Sequence, residues 1–213
     1  MPIQTKICGL STPETIDAAL NGGASHIGFV FFPKSPRNVT AEQASALAAR
    51  AGGRAKIVGL FVDPDPEFVE SVRAQVSLDV IQLHGDEHPD LVARIARSSG
   101  LELWKAVPVK TVADIGQART YLGVAQRILY DAKPPKGAEL PGGTGMRFDW
   151  ALLEGVSHPL PWILAGGLDP YNLGEAVRTT RADFVDVSSG VESAPGIKCV
   201  DKIAAFLKAA SAL

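Results

Sequence analysis

The sequence predicts an α/β protein, a single-domain (β/α)8 TIM barrel spanning residues 1–213, and three observations carry that reading. Eight apolar runs alternate with segments of helical periodicity, so strand and helix follow one another along the chain. The runs are continuous rather than alternately apolar and polar, the pattern of parallel strands covered on both faces. Eight strand–helix units with no spare element fit a closed barrel better than an open doubly wound sheet. The first turn, Cys8-Gly9-Leu10-Ser11, also lacks the Gly-x-Gly-x-x-Gly spacing of a dinucleotide-binding turn.

The first unit organises the rest. Ile3 to Leu10 reads IQTKICGL, an apolar and β-branched run that brings Lys6, Cys8 and Gly9 to a strand tip. Ser11 and Glu14 have the spacing of a capping box and Pro13 suits a first helical turn, so a helix follows with Ile16, Ala19 and Leu20 inward. Gly22 and Gly23 stop it. His26 to Phe32 forms the second strand and runs into Pro33-Lys34-Ser35-Pro36-Arg37, a loop stiffened by its prolines. Thr40 with Gln43 caps a helix carrying Ala44, Leu47, Ala48 and Ala51 inward. The third strand runs from Lys56 to Val62. Asp65 and Pro66 then start a helix with Phe68, Val69, Val72 and Val76 on one face. Val80 to Leu83 makes the fourth strand, which delivers His84-Gly85-Asp86, and the helix from Pro89 carries Leu91, Val92 and Ile95.

Leu101 to Val107 is the fifth strand, followed by a helix from about Thr111 to Tyr121 whose apolar side is Val112, Ile115, Ala118 and Leu122. The sixth strand, Arg127 to Tyr130, delivers Asp131. Ala132 to Gly145 then holds three prolines, four glycines and two lysines, which marks a functional or mobile loop before Phe148-Asp149-Trp150 resumes order. Trp162 to Ala165 is the seventh strand, Gly166 and Gly167 turn the chain, and Asp169 with Pro170 caps a helix bearing Leu173, Ala176 and Val177. Phe184 to Val187 is the eighth strand, ending in Ser188-Ser189-Gly190. A last helix over about Val200 to Ala210 presents Ile203, Phe206 and Leu207.

Composition sets several classes aside. Hydrophobic residues at 46% and charged residues at 21% are ordinary globular values, against disordered or fibrous chains. A net charge of −2 with no basic stripe argues against nucleic acid as a partner, while a small phosphorylated substrate needs only local positive charge. Cys8 and Cys199 lie far apart in a chain without disulfide-rich character and read as reduced thiols of a cytoplasmic protein. No apolar run approaches membrane-spanning length, and the start of the chain has no basic region leading into a long apolar core. No His, Cys, Asp or Glu cluster has metal-ligand spacing, and His26, His88 and His158 read as ordinary helix-start or loop histidines.

In a barrel the strand-end residues converge, and those are where chemistry is sought. Cys8 reads either as a base or nucleophile, if positive charge or hydrogen-bond donors favour its thiolate, or as a small apolar filler of the interior. Cys199, where the last helix begins, reads as structural. Asp131 reads as a general acid that desolvation keeps protonated, or as an ion-pair partner of Lys6, Lys105 or Lys133. Asp186 has the same two readings. Arg37 suits a bidentate clamp on a carboxylate, or is a solvated surface charge. Gln82 and His84 point the same way along their strand and read as a hydrogen-bonded pair on the interior side. The turns Ala165-Gly166-Gly167-Leu168 and Ser188-Ser189-Gly190 follow strands seven and eight. There, backbone N–H groups beside a helix N-terminus form the phosphate site frequent in such barrels.

Taken together, Lys6-Ile7-Cys8-Gly9-Leu10, Gly28-Phe29-Val30-Phe31, Ser35-Pro36-Arg37, Gln82-Leu83-His84-Gly85 and Asp131 form the first part of a specific pattern. It continues through Gly142-Gly143-Thr144-Gly145, Phe148-Asp149-Trp150, Leu164-Ala165-Gly166-Gly167-Leu168 and Asp186-Val187-Ser188-Ser189-Gly190-Val191-Glu192. In this order, over nearly the whole chain, the pattern resembles the phosphoribosylanthranilate isomerase family of tryptophan biosynthesis. The resemblance implies a (β/α)8 barrel that converts N-(5-phosphoribosyl)anthranilate into 1-(2-carboxyphenylamino)-1-deoxyribulose 5-phosphate, an Amadori rearrangement. It implies Asp131 as the general acid that opens the furanose ring and Cys8 as the general base that removes the C2′ proton. By the same resemblance Arg37 holds the anthranilate carboxylate, with Gln82, His84 and Asp186 as further substrate contacts. Gly166, Gly167, Ser188, Ser189 and Gly190 would bind phosphate, with Gly143 and Thr144 closing over the site. The iminium is the electron sink, so no metal or organic cofactor is expected. Lys6, on the same strand face as Cys8, is expected to favour its thiolate. A phosphate-binding barrel of another tryptophan or histidine pathway step, a non-catalytic sugar-phosphate binder and a thiol hydrolase are the rival readings. A monomer and a homodimer fit the sequence equally.

Overall fold

The computed structural model describes residues 3–213 except 136, 139 and 144. Eight parallel strands close in sequence order: β1 (Gln4–Cys8), β2 (His26–Phe31), β3 (Lys56–Phe61), β4 (Val80–Leu83), β5 (Glu102–Val109), β6 (Arg127–Ala132), β7 (Trp162–Leu164) and β8 (Phe184–Val187), with β8 pairing back onto β1. Among the described residues the α-helices are α1 (Pro13–Asn21), α2 (Ala41–Ala51), α3 (Pro66–Arg73), α4 (Pro89–Ser99), α5 (Val112–Gly116), α6 (Leu173–Thr180) and α7 (Val200–Ser211). After β8 comes a two-stranded antiparallel hairpin, β9 (Glu192–Ala194) and β10 (Ile197–Lys198).

Strand alternation divides the apolar residues into two cores. Ile7, Ile27, Phe29, Ile57, Ile81, Leu103, Ile128, Leu164, Val185 and Val187 point outward and pack with the helices. Val58, Val80, Trp104, Ala106, Leu129, Ile163, Ala165 and Phe184 point inward and fill the barrel. Higher up, Cys8, Val30 and Leu60 form a third cluster with Phe32 and Val62 at the mouth, where the strands end.

Several elements depart from the sequence expectation for local reasons. Pro13 occupies the first helical position, so the N-cap of α1 is Thr12, not Ser11, and its capping box runs to Thr15. The fifth helix is split: α5 ends at Gly116, a poor helix former, and the chain tightens into a 3-10 turn over Gln117–Tyr121. A three-residue repeat keeps Ile115 and Ala118 buried and turns Leu122 to solvent, and Val112 is likewise exposed. Phe68 is also partly exposed, though its ring meets Phe61 edge-on. Asp169 does not cap α6. It accepts from the backbone N–H groups of Tyr171 and Asn172 in a turn before the helix, whose N-cap is Asn172. Between β6 and β7 the long loop and a 3-10 turn, Trp150–Leu153, stand where a sixth α-helix was expected.

His26 is not a loop histidine. It opens β2 and lies in the barrel interior, its ring 4.8 Å from Phe184 and 5.3 Å from Trp104. Desolvation, then the positive charges of Lys56, Lys6 and Arg127, pull its pKa down to about 3. The unfolded chain takes up this proton near the usual histidine value of about 6.5, whereas the folded chain does not. The resulting contribution is complete above that value and is lost as pH falls from there towards 3. Unfolding free energy measured from pH 7 to pH 5 is therefore expected to fall by up to about 1 kcal/mol per unit more in the native protein than in His26→Gln. Equal slopes would refute the assignment.

Candidate active site

Because side chains alternate along a strand, the residues ending each strand on the inward face meet above the barrel interior. They line one cavity of about 730 Å³, part of it open to solvent, which Cys8, Arg37, His84, Asp131, Asp186 and Ser188 all reach. Leu140, Pro141, Gly142 and Gly143 of the long loop fold over it, and so do Gly166 and Gly167.

Cys8 ends β1 and is 3% exposed. Its neighbour on β2 is Gly28, where an added Cβ would come within 3.2 Å of the thiol sulfur and 2.9 Å of Lys6 Cε. Gly28 thus leaves room for Lys6 and Cys8 to lie side by side. Lys6 Nζ donates to Asp186 Oδ1 at 2.9 Å, a buried ion pair across the β1–β8 seam. Burial alone would lower the Lys6 pKa, but Asp186 and the thiol together raise it above the usual lysine value. Desolvation pushes the Cys8 pKa up, and the opposing pull of Lys6 does not offset it. Lys6 therefore acts in the direction expected from sequence but is outweighed: the resting thiol keeps its proton.

Asp131, the penultimate residue of β6, faces the same cavity from three strands away. Its Oδ1 accepts from the Ala132 backbone N–H at 2.8 Å, and its Oδ2 lies 3.1 Å from His84 Nε2. None of Lys6, Lys105 and Lys133 is its partner: Lys6 holds Asp186, Lys105 holds Glu87 at 3.0 Å, and Lys133 holds Asp114 at 3.2 Å. Gly166 and Gly142 flank the carboxyl group. A Cβ on Gly166 would lie 3.1 Å from Oδ1, and one on Gly142 would lie 2.6 Å from Oδ2.

Arg37 is not a surface charge. It is 6% exposed, and Glu192 takes its Nε at 2.6 Å and one Nη2 hydrogen at 2.8 Å, while Nη2 also donates to the Gly143 carbonyl at 3.0 Å. Glu192 is shared, because Lys198 Nζ donates to its Oε1 at 2.6 Å and to the Ser188 carbonyl at 2.9 Å. Burial would raise the Glu192 pKa, but Arg37 and Lys198 hold its carboxyl below the usual value. The β9–β10 hairpin thereby ties the Arg37 loop to the turn after β8. Neither Glu192 nor Lys198 was singled out from sequence. The Pro195-Gly196 turn signal between them was the available clue to a hairpin with the two residues facing.

The other expected contacts divide. Gly166 and Gly167 adopt left-handed φ of 82° and 67°, and with Ser188 and Ser189 they form one rim of the cavity. The helix N-terminus expected beside them is displaced: α6 begins only at Leu173, and β8 is followed by a 3-10 turn over Ser189–Val191. Gly190 stands behind the rim, where a Cβ would overlap the Leu168 carbonyl oxygen. Gln82 is fully buried and meets His84, so it lies behind the cavity wall rather than on it. Thr144 lies outside the described residues. Among the described residues no group of three or more His, Cys, Asp or Glu is arranged to hold a metal ion.

A thiol and a carboxyl group lining one cavity, with a buried arginine at one end and glycine turns at the other, suit proton transfer on a small anionic molecule. The fold and this cavity define the protein as a (β/α)8 barrel with a strand-end site of the kind barrel enzymes use. The family model for N-(5′-phosphoribosyl)anthranilate isomerase matches residues 5–209. The N-(5′-phosphoribosyl)anthranilate isomerase of Paramagnetospirillum magneticum is 53% identical over 99% of this chain and 98% of its own length. The crystal structure of the isomerase from Thermotoga maritima superposes with a TM-score of 0.88 at 36% identity, covering 99% of this chain and 100% of that one. Another phosphoribosylanthranilate isomerase, solved with reduced 1-(o-carboxyphenylamino)-1-deoxyribulose 5-phosphate, gives 0.83 at 33% identity over 99% and 100%. The chain belongs to the phosphoribosylanthranilate isomerase family and is an isomerase of tryptophan biosynthesis. No helix among the described residues is long and apolar enough to cross a membrane.

The two glycine environments separate packing from propensity. Gly190→Ala is expected to destabilise the protein by about 1–3 kcal/mol, because the backbone at Leu168 must shift. Gly116→Ala, with nothing near its Cβ and an ordinary φ, is expected to be neutral or stabilising by up to about 1 kcal/mol. Thermal unfolding of the two variants checks both.

Proposed function

We propose that Cys8 and Asp131 carry the Amadori rearrangement of N-(5′-phosphoribosyl)anthranilate as general base and general acid. Asp131 protonates the furanose ring oxygen, the C1′–O bond opens, and the anthranilate nitrogen supplies its lone pair to form an iminium. The thiolate of Cys8 then removes the C2′ proton, and the electron pair moves into the iminium to give an enolamine that tautomerises to the ketone. The observation that carries this reading is that the two groups line one cavity from β1 and β6, three strands apart around the closed barrel.

The substrate has a carboxylate at one end and a phosphate at the other, and the cavity is polarised to suit. Glu192 takes the Nε side of Arg37, so the Nη1 side turned to Gly143 is the one we assign to the anthranilate carboxylate. The turns at Gly166, Gly167, Ser188 and Ser189 are assigned to phosphate, with Gly190 shaping them from behind and Gly143 at the edge of the site. Asp186 and His84 face the cavity as substrate neighbours. The partner is a small phosphorylated molecule rather than nucleic acid or membrane. Every assigned residue comes from one chain, so the reading suits a monomer or a homodimer, and the two free thiols suit the reducing cytoplasm.

Turnover can be followed by anthranilate fluorescence while the substrate is generated in place. Cys8→Ala and Asp131→Ala are each expected to lower kcat/KM at least about a hundredfold without added metal or cofactor. A folded but inert native protein would defeat the reading. The base must first lose its proton, and burial keeps the Cys8 thiol above its usual value, which Lys6 and Lys198 oppose and Asp186 reinforces. In the free enzyme the ultraviolet absorbance of the Cys8 thiolate, read as native minus Cys8→Ala, should therefore still be climbing at about pH 8.5. A plateau already reached by about pH 7 would contradict this environment.

A further inference from the structure

His84 stands between two partners. Its Nε2 lies 3.1 Å from Asp131 Oδ2, and its Nδ1 lies 3.0 Å from Gln82 Nε2. An amide nitrogen is only a donor, so Nδ1 accepts and the neutral ring carries its proton on Nε2, aimed at the carboxyl group. Gln82 is fully buried, and its Oε1 has no hydrogen-bond partner among the described residues. As placed, the amide leaves Oε1 and one of its two N–H groups without a partner among the described residues, turning it over would leave both N–H groups without one, and an apolar side chain would remove the penalty altogether. The contact that the amide makes is with His84. Gly142 lies against the pair: a Cβ there would come within 2.6 Å of both His84 Nε2 and Asp131 Oδ2.

We infer that Gln82 is a positioning residue: it locks His84 in the Nε2–H tautomer, so that His84 donates to the carboxylate left when Asp131 has given its proton away. This rests on Asp131 being the acid. When the Asp131 O–H bond breaks and the ring oxygen gains the proton, full negative charge appears on a group whose Oδ1 already accepts from the Ala132 N–H. The Nε2–H meets the other oxygen with no reorganisation, the condition under which such donors contribute most. A ring protonated on Nδ1 would instead present a lone pair to that oxygen and oppose the transfer.

The sequence has four histidines, so a long-range proton–nitrogen correlation on histidine-labelled protein resolves each ring, with His84→Ala identifying the signal. The native His84 is expected to be protonated on Nε2, and Gln82→Met to populate both tautomers. Gln82→Met should also lower kcat about tenfold with KM within about twofold, while melting no lower than about 4 °C below native. His84→Ala should cost at least as much in kcat, and the double variant no more than His84→Ala alone. A native ring protonated on Nδ1, a Gln82→Met kcat within about twofold of native, or effects that multiply in the double variant would overturn the inference. Near-native turnover of Asp131→Asn would overturn the acid assignment and this inference with it. The tautomer is read without turnover, so the two failures are distinguishable.

Discussion

Lys6 and Asp186 face each other where the first strand closes on the last, in register, with their charges 2.9 Å apart and almost no exposure. Closure of the sheet is what brings residues 180 positions apart into contact, and it removes the two edges an open sheet would leave. An unpaired lysine or aspartate at this depth would be costly, so each charge depends on the closed seam, and the seam in turn holds both. Cys8 lies two residues further along β1 and Ser188 two residues beyond Asp186, and the Ser188 hydroxyl donates to the Cys8 carbonyl at 3.2 Å. The thiol and the glycine-serine turn after β8 are therefore fixed to one another by the same ladder that closes the barrel.

The interior below them explains the character of the site. Trp104, Phe184, His26 and their aliphatic neighbours fill the lower barrel, so the polar strand ends rest on a largely apolar floor. A low-dielectric floor raises the cost of an isolated charge, which is why Cys8 holds its proton despite Lys6. It also strengthens every properly made contact above it. Glycines at Gly28, Gly142 and Gly166 keep side chains out of the space around the thiol and the carboxyl group, so the two reacting groups stay accessible while remaining largely buried.

Two braces outside the strands then hold the loops. The β9–β10 hairpin carries Glu192 and Lys198, and through them Arg37 and Ser188 share one buried network. Elsewhere at the mouth, Lys105 donates to the Gly85 and Ala106 carbonyls and forms a buried ion pair with Glu87 Oε2 at 3.0 Å. Glu87 in turn accepts from the Asp63 and Gly85 backbone N–H groups. The loop that presents His84 is thereby tied to the loops after β3 and to β5. Both braces are buried ion pairs completed by hydrogen bonds, the form in which such pairs specify geometry rather than merely cost desolvation.

Sequence alone determined the barrel and most of its elements, because continuous apolar runs, glycine stops and proline starts act locally and are written in short stretches of chain. It also determined that Cys8, Arg37, Asp131, Asp186 and the two glycine turns converge, since a parallel closed barrel puts every strand end on one face. What it left open was partnership. That Arg37 meets Glu192, that Asp131 meets His84 rather than a lysine, and that Gln82 stands behind the cavity wall depend on distances between residues tens of positions apart. So does the balance at Cys8: a neighbouring lysine is visible in the chain, but the desolvation that outweighs it exists only once the barrel has closed around them. Position along a strand is a local property and can be counted; electrostatic environment is set by everything that packs around a group, and only the tertiary structure decides it.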